Sequence, residues 1–370
     1  MLSLDSFKDQ TALLPSVPLE GATSYHNQLV EMTACVDEAM NKTANIRNLI
    51  GGNPLQMMHD NHRHHGAFMA TVFTLGNYQL LAATLPWVYR AYHGRRFSFD
   101  YFPLELRCWI DAIEKFMDAR QRAPIITIYQ WMIDHHDTII ALSQQELEVL
   151  APVDSAWLEL KNEFRVAALR GDHRQCLKMA TSRVKTPGDI IDFYLQVLQP
   201  ALYEVGILWE KNKISVAQEH LASAIVTRVM ATVNLVMIEP VKYHGRAVVA
   251  ACANEYHEIG AMMIADILEM DKWDVCYLGA NVPAGDLLDH LRMVKPDVLA
   301  LSVTMAFNVI KVHDTVKQIR QDPTLAALKV VVGGRAFGAD NDLWKQIGAD
   351  ACAGNLTEAR QVLRSYRGGG

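Results

Sequence analysis

The chain has 370 residues, half of them hydrophobic and 21% charged, with a formal net charge of -6. That is globular composition, which argues against long disorder, and the length predicts roughly two or three domains. The acidic balance disfavours sequence-independent nucleic-acid binding, which needs a cationic surface, and no apolar run approaches the roughly 18 residues of a membrane span.

Residues 1–150 read as an all-helical domain. Leu55, Met58, His62, His65, Met69 and Val72 follow a three-four alternation and share one helical face. Pro86 interrupts the next segment, Asp100 followed by Pro103 marks a helix start, and Pro124 opens another helix.

Residues 151–240 predict a four-helix bundle. GDHRQ at 171–175 and KTPGD at 185–189 mark turns, with Asp172 as a cap and Pro187 near a helix start. A helix from Asp189 continues past Pro200 toward Leu208 and Trp209, and the last begins near Ser215.

In residues 241–367 the period changes. AVVAACA (247–253), DVCYL (274–278), DVLALSV (297–303) and KVVVGG (329–334) are short β-branched runs separated by helix-length segments, with a fifth strand near 350–353 and a last helix near 357–366. Continuous apolar strands alternating with helices predict a flavodoxin-like doubly wound parallel sheet. Ligands of such sheets bind beyond the strands' carboxyl ends. Gly368–Gly370 reads as a boundary or linker.

No GxGxxG follows the first strand and there is no P-loop, which disfavours dehydrogenase-type or P-loop nucleotide binding. The loop after the first strand is Asn254-Glu255-Tyr256-His257-Glu258-Ile259-Gly260. A histidine there can offer one ring nitrogen to a metal while a nearby acid fixes the other. Gly260 removes a side chain where a bulky ligand can pass. Alone, the triplet reads as a surface histidine beside an incidental acid. Two further strand ends change this: Ser302-Val303-Thr304 ends the third strand and Gly333-Gly334 ends the fourth.

This set of ExHxxG, SxT and GG resembles the cobalamin-binding domain. The resemblance implies that His257 is the lower axial ligand of cobalt and Glu255 its supporting acid. It also implies that Gly260, Ser302, Thr304, Gly333 and Gly334 line a slot for the displaced nucleotide tail. The commoner motif begins with Asp, so Glu255 lengthens the carboxylate arm by one methylene. Tyr256 stands between the two motif residues, and the LGANVP loop (278–283) also fits the family.

Upstream, Trp209 is followed after nine residues by Glu219-His220. This W-x9-EH pattern resembles the helical cap of the CarH class of light-sensing adenosylcobalamin proteins. An indole can shield the upper corrin face, and a carboxylate and a histidine can hydrogen-bond an adenosyl group. In that class a histidine directly follows the tryptophan and can take the upper cobalt position after photolysis. Here that residue is Glu210, which leaves His220 or water for the role. The class also begins with a basic DNA-binding domain, absent from residues 1–150, so direct DNA binding is not expected.

LPWVYRAYHGRRFSFDYFPLELRCW (85–109) concentrates aromatic and basic residues, among them Trp87, Tyr89, Arg90, Tyr92, Arg95 and Arg96. With His62 and His65 they form a candidate tetrapyrrole site, the arginines pairing with propionates and His or Asp with pyrrole nitrogens. The two histidines equally suit interior hydrogen bonds or haem. The segment is similar to the globin-like N-terminal domain of photocobilins, which implies biliverdin as a second chromophore.

The expectation is therefore a multidomain α plus α/β photoreceptor and not an enzyme. Photolysis of bound adenosylcobalamin would reorient cap and sheet and change the state of a light-dependent homo-oligomer. The rivals are a corrinoid methyl carrier of a methyltransferase system and a haem-globin sensor that also binds cobalamin. No signal-peptide pattern opens the chain, and its six cysteines lie at least 24 positions apart without a CxxC. A reducing, cytoplasmic setting is expected, with no membrane partner and an output through an unidentified protein or a domain beyond Gly370.

Overall fold

A computed structural model describes residues 3–145, 152–237, 243–340 and 342–366. The chain divides into two units. The first comprises Met1–Glu146 with the short segments Met305–Ile310 and Gly338–Gln346; the second comprises Leu147–Thr304, Lys311–Phe337 and Ile347–Gly370. The expected junctions at 150/151 and 240/241, and the Gly368–Gly370 tail, lie outside the described residues.

The first unit is helical. Its main elements are α1 (Leu4–Gln10), α2 (Leu19–Asn27), α3 (Leu29–Asn41), α4 (Ile46–Leu49), α5 (Leu55–Leu75), α6 (Tyr78–Gly94), α7 (Tyr101–Phe116), α8 (Ala119–Asp134) and α9 (His136–Ser143). The apolar alternation on α5 faces the core, with Met58, His62, Met69 and Val72 fully buried. Gly76 ends α5 at φ 60°, and the Asn77 side chain caps α6 by accepting the Leu80 N–H at 2.8 Å.

Two expectations about proline are corrected here. Pro86 does not interrupt a helix but lies inside continuous α6, and Pro124 lies inside α8, which begins five residues earlier at Ala119. An interior proline costs a helix about 3 kcal/mol. In α6 the stretch around it is core, with Leu85, Pro86 and Tyr89 buried, so packing overrides the local penalty.

The second unit begins with the bundle: α10 (Ser155–Arg170), α11 (His173–Arg183), α12 (Pro187–Phe193), α13 (Gln199–Glu210) and α14 (Val216–Val233). Its turns follow the sequence signals. Asp172 caps α11 after left-handed Gly171, and Thr186–Asp189 and Ser215–Gln218 form capping boxes. Tyr194–Leu198 form a π-helical turn that joins α12 to α13 into one long element. The turn precedes Pro200, whose missing N–H cannot continue the regular ladder.

The sheet follows: β1 (Arg246–Ala251), α15 (Ile259–Met270), β2 (Asp274–Tyr277), α16 (Ala284–Val294), β3 (Val298–Ser302), α17 (Val309–Gln321), β4 (Lys329–Gly333), α18 (Leu343–Gln346, within the first unit), β5 (Ala351–Ala353) and α19 (Leu356–Ser365). All pairings are parallel, in the order β2-β1-β3-β4-β5. This is the flavodoxin-like order, with its switch point between β1 and β3. Met263 and Ile267 of α15 belong to the same apolar core as Phe164, Phe193 and Val229 of the bundle, so cap and sheet share buried surface. Asp271, just past α15, receives paired hydrogen bonds from Arg360 and Arg364, which fasten α19 beside it.

Candidate functional site

The loops at the carboxyl ends of β1, β3 and β4 converge as the sequence predicts. Glu255 is fully buried, and its Oε1 lies 2.5 Å from Nδ1 of His257 and accepts the His257 backbone N–H at 3.2 Å. Its Oε2 accepts the Thr304 N–H at 2.9 Å. One carboxylate thus locks the histidine loop to the loop after β3. Because Nδ1 is engaged, Nε2 is the nitrogen left to meet a metal, and the side chain is 58% exposed. The hydrogen bond to Glu255 raises the imidazole pKa above its ordinary value against the pull of burial; Glu219 adds to the rise and Arg335 opposes it.

Asn281, in the loop after β2, donates its N–H to the Glu255 carbonyl at 2.9 Å and accepts the Asn254 N–H at 2.8 Å. Tyr256 points outward, 71% exposed.

The three motif glycines differ. A Cβ on Gly334, at φ +99°, would stand 2.3 Å from the Val303 carbonyl oxygen, and one on Gly333 would stand 2.8 Å from that of Ala353. Both are required by close backbone approach. A Cβ on Gly260 would meet only the Ser302 hydroxyl, at 3.9 Å. Protein packing leaves room at Gly260, as expected if it and Ser302 wall a ligand slot. Among the described residues no three His, Cys, Asp or Glu side chains gather to hold a bare metal ion. A single supported histidine suits a metal that arrives within a macrocycle.

On the cap, Trp209 is only partly buried at the end of α13. Glu219 lies in the first turn of α14 and His220 directly follows it. The Glu219 carboxylate lies 2.6 Å from His220 Nδ1 and accepts the Ser223 hydroxyl at 2.9 Å. Sequence reasoning missed Arg335, the residue after Gly334, which donates to Glu210 at 3.3 Å. It also missed Asp266, buried on α15, whose carboxylate accepts the Tyr194 hydroxyl at 2.6 Å. An acid at the eighth position of the otherwise apolar stretch IGAMMIADI (259–267) was the available signal.

In the first unit, His62 lies at the centre of a buried polar chain. Its Nδ1 is 2.5 Å from Asp37 and its Nε2 is 2.9 Å from the Tyr101 hydroxyl. His65 Nε2 is 3.1 Å from the Tyr129 hydroxyl, itself 2.7 Å from that of Tyr25. Nearby Glu105 is buried, accepts the Trp109 indole N–H at 3.3 Å, and has its pKa raised by burial. Tyr89 stacks on Phe102, and Tyr92 lies against Phe97, Tyr101 and Phe102. Arg90 donates to the Ser143 carbonyl at 2.8 Å. Trp87 is partly exposed on α6, and Arg95 and Arg96, the latter at φ 69°, follow that helix. The histidines and tyrosines thus gather in one core, while the arginines end or follow α6. Asp37 and Tyr129 were missed because their partners are remote in sequence.

Two family models match, each described as a B12 binding domain: one over residues 160–234, the bundle, and one over 245–364, the sheet. The HTH-type transcriptional repressor CarH of Myxococcus xanthus is 36% identical over 141 residues, 38% of this chain and 46% of that protein. The chain carries a CarH-like cobalamin-binding module. Dimethylamine corrinoid protein 2 of Methanosarcina acetivorans is 24% identical over 218 residues, 57% of this chain and 93% of that protein. The monomethylamine corrinoid protein of Methanosarcina barkeri shares the module's fold, with a TM-score of 0.50 and 19% identity over 56% of this chain and 98% of that one.

The chain spans about half the length of the first curated relatives it matches. The cofactor class is cobalamin, and the residues of the module fit it: a supported histidine, open space at Gly260, and a cap that shares its core with the sheet. Among the described residues no helix is long and apolar enough to cross a membrane.

Proposed function

We propose that this chain is a light-responsive sensor that uses adenosylcobalamin, and that it signals rather than catalyses. His257 would hold cobalt from below through Nε2, oriented by Glu255. Trp209, Glu219 and His220 would cover the upper face from the cap. Gly260, Ser302, Thr304, Gly333 and Gly334 would line the tail slot. Bound adenosylcobalamin supplies a light-labile cobalt–carbon bond.

What the chain adds is a cap that reads the upper ligand. A bound adenosyl group would hold Trp209 and the start of α14 away from the ring; without it those residues and the shared core of cap and sheet would readjust, together with any interface spanning both. A light-dependent homo-oligomer follows, with an unidentified downstream partner. The observation that carries this reading is the Glu255 carboxylate, which joins His257 to the Thr304 loop.

The helical first unit is proposed as a globin-like domain that takes biliverdin at His62, His65 and the aromatic groups of α6. The support is the buried chain of acids, imidazoles and phenols around His62, which suits pyrrole nitrogens.

The test is absorption spectroscopy and gel filtration of the purified chain with adenosylcobalamin, before and after green light. A changed cobalamin spectrum with a changed elution volume is expected; neither changing rejects the sensor. Biliverdin that keeps its free spectrum in the protein rejects the second chromophore. The match to nearly the full length of a dimethylamine corrinoid protein favours one alternative, a methyl carrier. That reading gains if methylcobalamin binds, exchanges its methyl group with a partner enzyme, and light leaves the oligomer unchanged.

A further inference from the structure

Glu210 closes α13 beside Trp209 and is 4% exposed. The position is doubly unfavourable for an acid. Burial removes its hydration, and the carboxyl end of a helix already carries negative partial charge. Its compensation comes from the sheet, where the Arg335 guanidinium donates to Oε1 at 3.3 Å. Arg335 directly follows Gly334, whose φ of +99° and close approach to Val303 fix the direction of the chain. Its side chain is 61% exposed although its partner is buried. Arg335 thus extends the Gly333–Gly334 loop toward the end of the helix that carries Trp209.

We propose that Arg335, anchored by Glu210, is a positioning residue of the cobalamin site that clamps the cap onto the Gly333–Gly334 loop and sets how tightly the corrinoid is retained. The proposal rests on the cobalamin reading above. The clamp joins the helix that carries Trp209 to the loop assigned to the nucleotide tail, the two parts of the module that must hold one ligand together. A charge pair of this kind, with one member desolvated, governs chiefly how slowly a complex comes apart.

The test uses the full chain and hydroxocobalamin, with affinity and release followed by absorbance and folding by circular dichroism. Arg335→Glu and Glu210→Arg are each expected to weaken binding about tenfold or more, mainly through faster release. The double reversal, Glu210→Arg with Arg335→Glu, is expected to restore it to within about threefold of wild type. The spectral change that marks histidine ligation should persist in every loaded variant. Should a reversal fail to fold, Arg335→Gln carries the test, because that side chain is largely exposed; a weakening of about tenfold with an unchanged melting curve supports the clamp.

Single variants that bind like wild type overturn the clamp, as does a folded double variant that is no tighter than the singles. A wild-type chain that takes up no hydroxocobalamin overturns the cobalamin site and the clamp with it. Wild-type uptake with unaffected variants overturns the clamp alone.

Discussion

Glu255 holds Nδ1 of His257 at 2.5 Å with one oxygen and the backbone N–H of Thr304 at 2.9 Å with the other. The longer arm relative to the commoner Asp therefore still reaches the imidazole, and it also ties down the next loop. A fully buried carboxylate so placed cannot be removed quietly.

Glu255→Gln keeps an acceptor for Thr304 but loses the charge that supports the imidazole. Cobalamin affinity is expected to fall about 10–100-fold with a small loss of stability. Glu255→Ala is expected to leave the Thr304 N–H without its acceptor and to cost about 1–3 kcal/mol as well. Absorbance titration and denaturant melts measure the two effects. Equal cobalamin affinity in wild type and Glu255→Gln would separate Glu255 from the metal.

The glycines offer a sharper contrast. Gly334→Ala puts a Cβ against the Val303 carbonyl at a φ that L-residues avoid, so it should cost at least about 1–2 kcal/mol with or without cobalamin. A Cβ at Gly260 meets only the Ser302 hydroxyl, so Gly260→Leu starts into open space and is expected to fold and to exclude the cofactor. Thermal melts and titration separate these outcomes. A Gly260→Leu chain that binds cobalamin like wild type would remove Gly260 from the slot.

Much of this was legible beforehand because the controlling signals are local. The strands are continuous apolar runs between helix-length segments, and a parallel sheet covered on both faces leaves little else for such runs to do. The cap turns at Asp172, Thr186 and Ser215 are stated by side chains that bond their own backbone within three residues. The prolines misled because each carries a local penalty, which at Pro86 burial in the core shows to be tolerated. Glu210 with Arg335, and Tyr194 with Asp266, are partners separated by 125 and 72 positions, and nothing short-range announces them.

His65 makes the helical unit acid-sensitive. Burial, helped by the charge of His62, lowers its pKa to about 3 from an ordinary value of 6.5. Below 6.5 the unfolded chain takes up a proton that the folded imidazole refuses. The stability contributed is complete above that value and is lost progressively as pH falls through about 3. Buried Glu105, whose pKa is raised, acts in the opposite sense by favouring its protonated form. His65→Gln is expected to flatten the fall in unfolding midpoint between about pH 7 and about pH 5. The same slope in mutant and wild type would assign the acid sensitivity elsewhere.

The Tyr194–Asp266 bond tests how cap and sheet are joined. Tyr194 opens the π-helical turn of the bundle, and Asp266 lies on α15, the helix that begins just after the His257 loop. The hydroxyl donates to the carboxylate at 2.6 Å and also reaches Asn234 Oδ1 at 3.2 Å. Burial raises the pKa of Asp266, and hydrogen bonds from Tyr194 and Asn234 hold it back. Tyr194→Phe keeps the ring in the shared core but strips the carboxylate of a donor, so a loss of about 1–3 kcal/mol is expected. Asp266→Asn keeps the shape and an acceptor while removing the buried charge, so it should cost less at neutral pH. Denaturant unfolding of both variants decides the matter. If Tyr194→Phe is as stable as wild type, the hydroxyl is incidental to the joint, and the shared apolar core with the Glu210–Arg335 pair holds the two parts together.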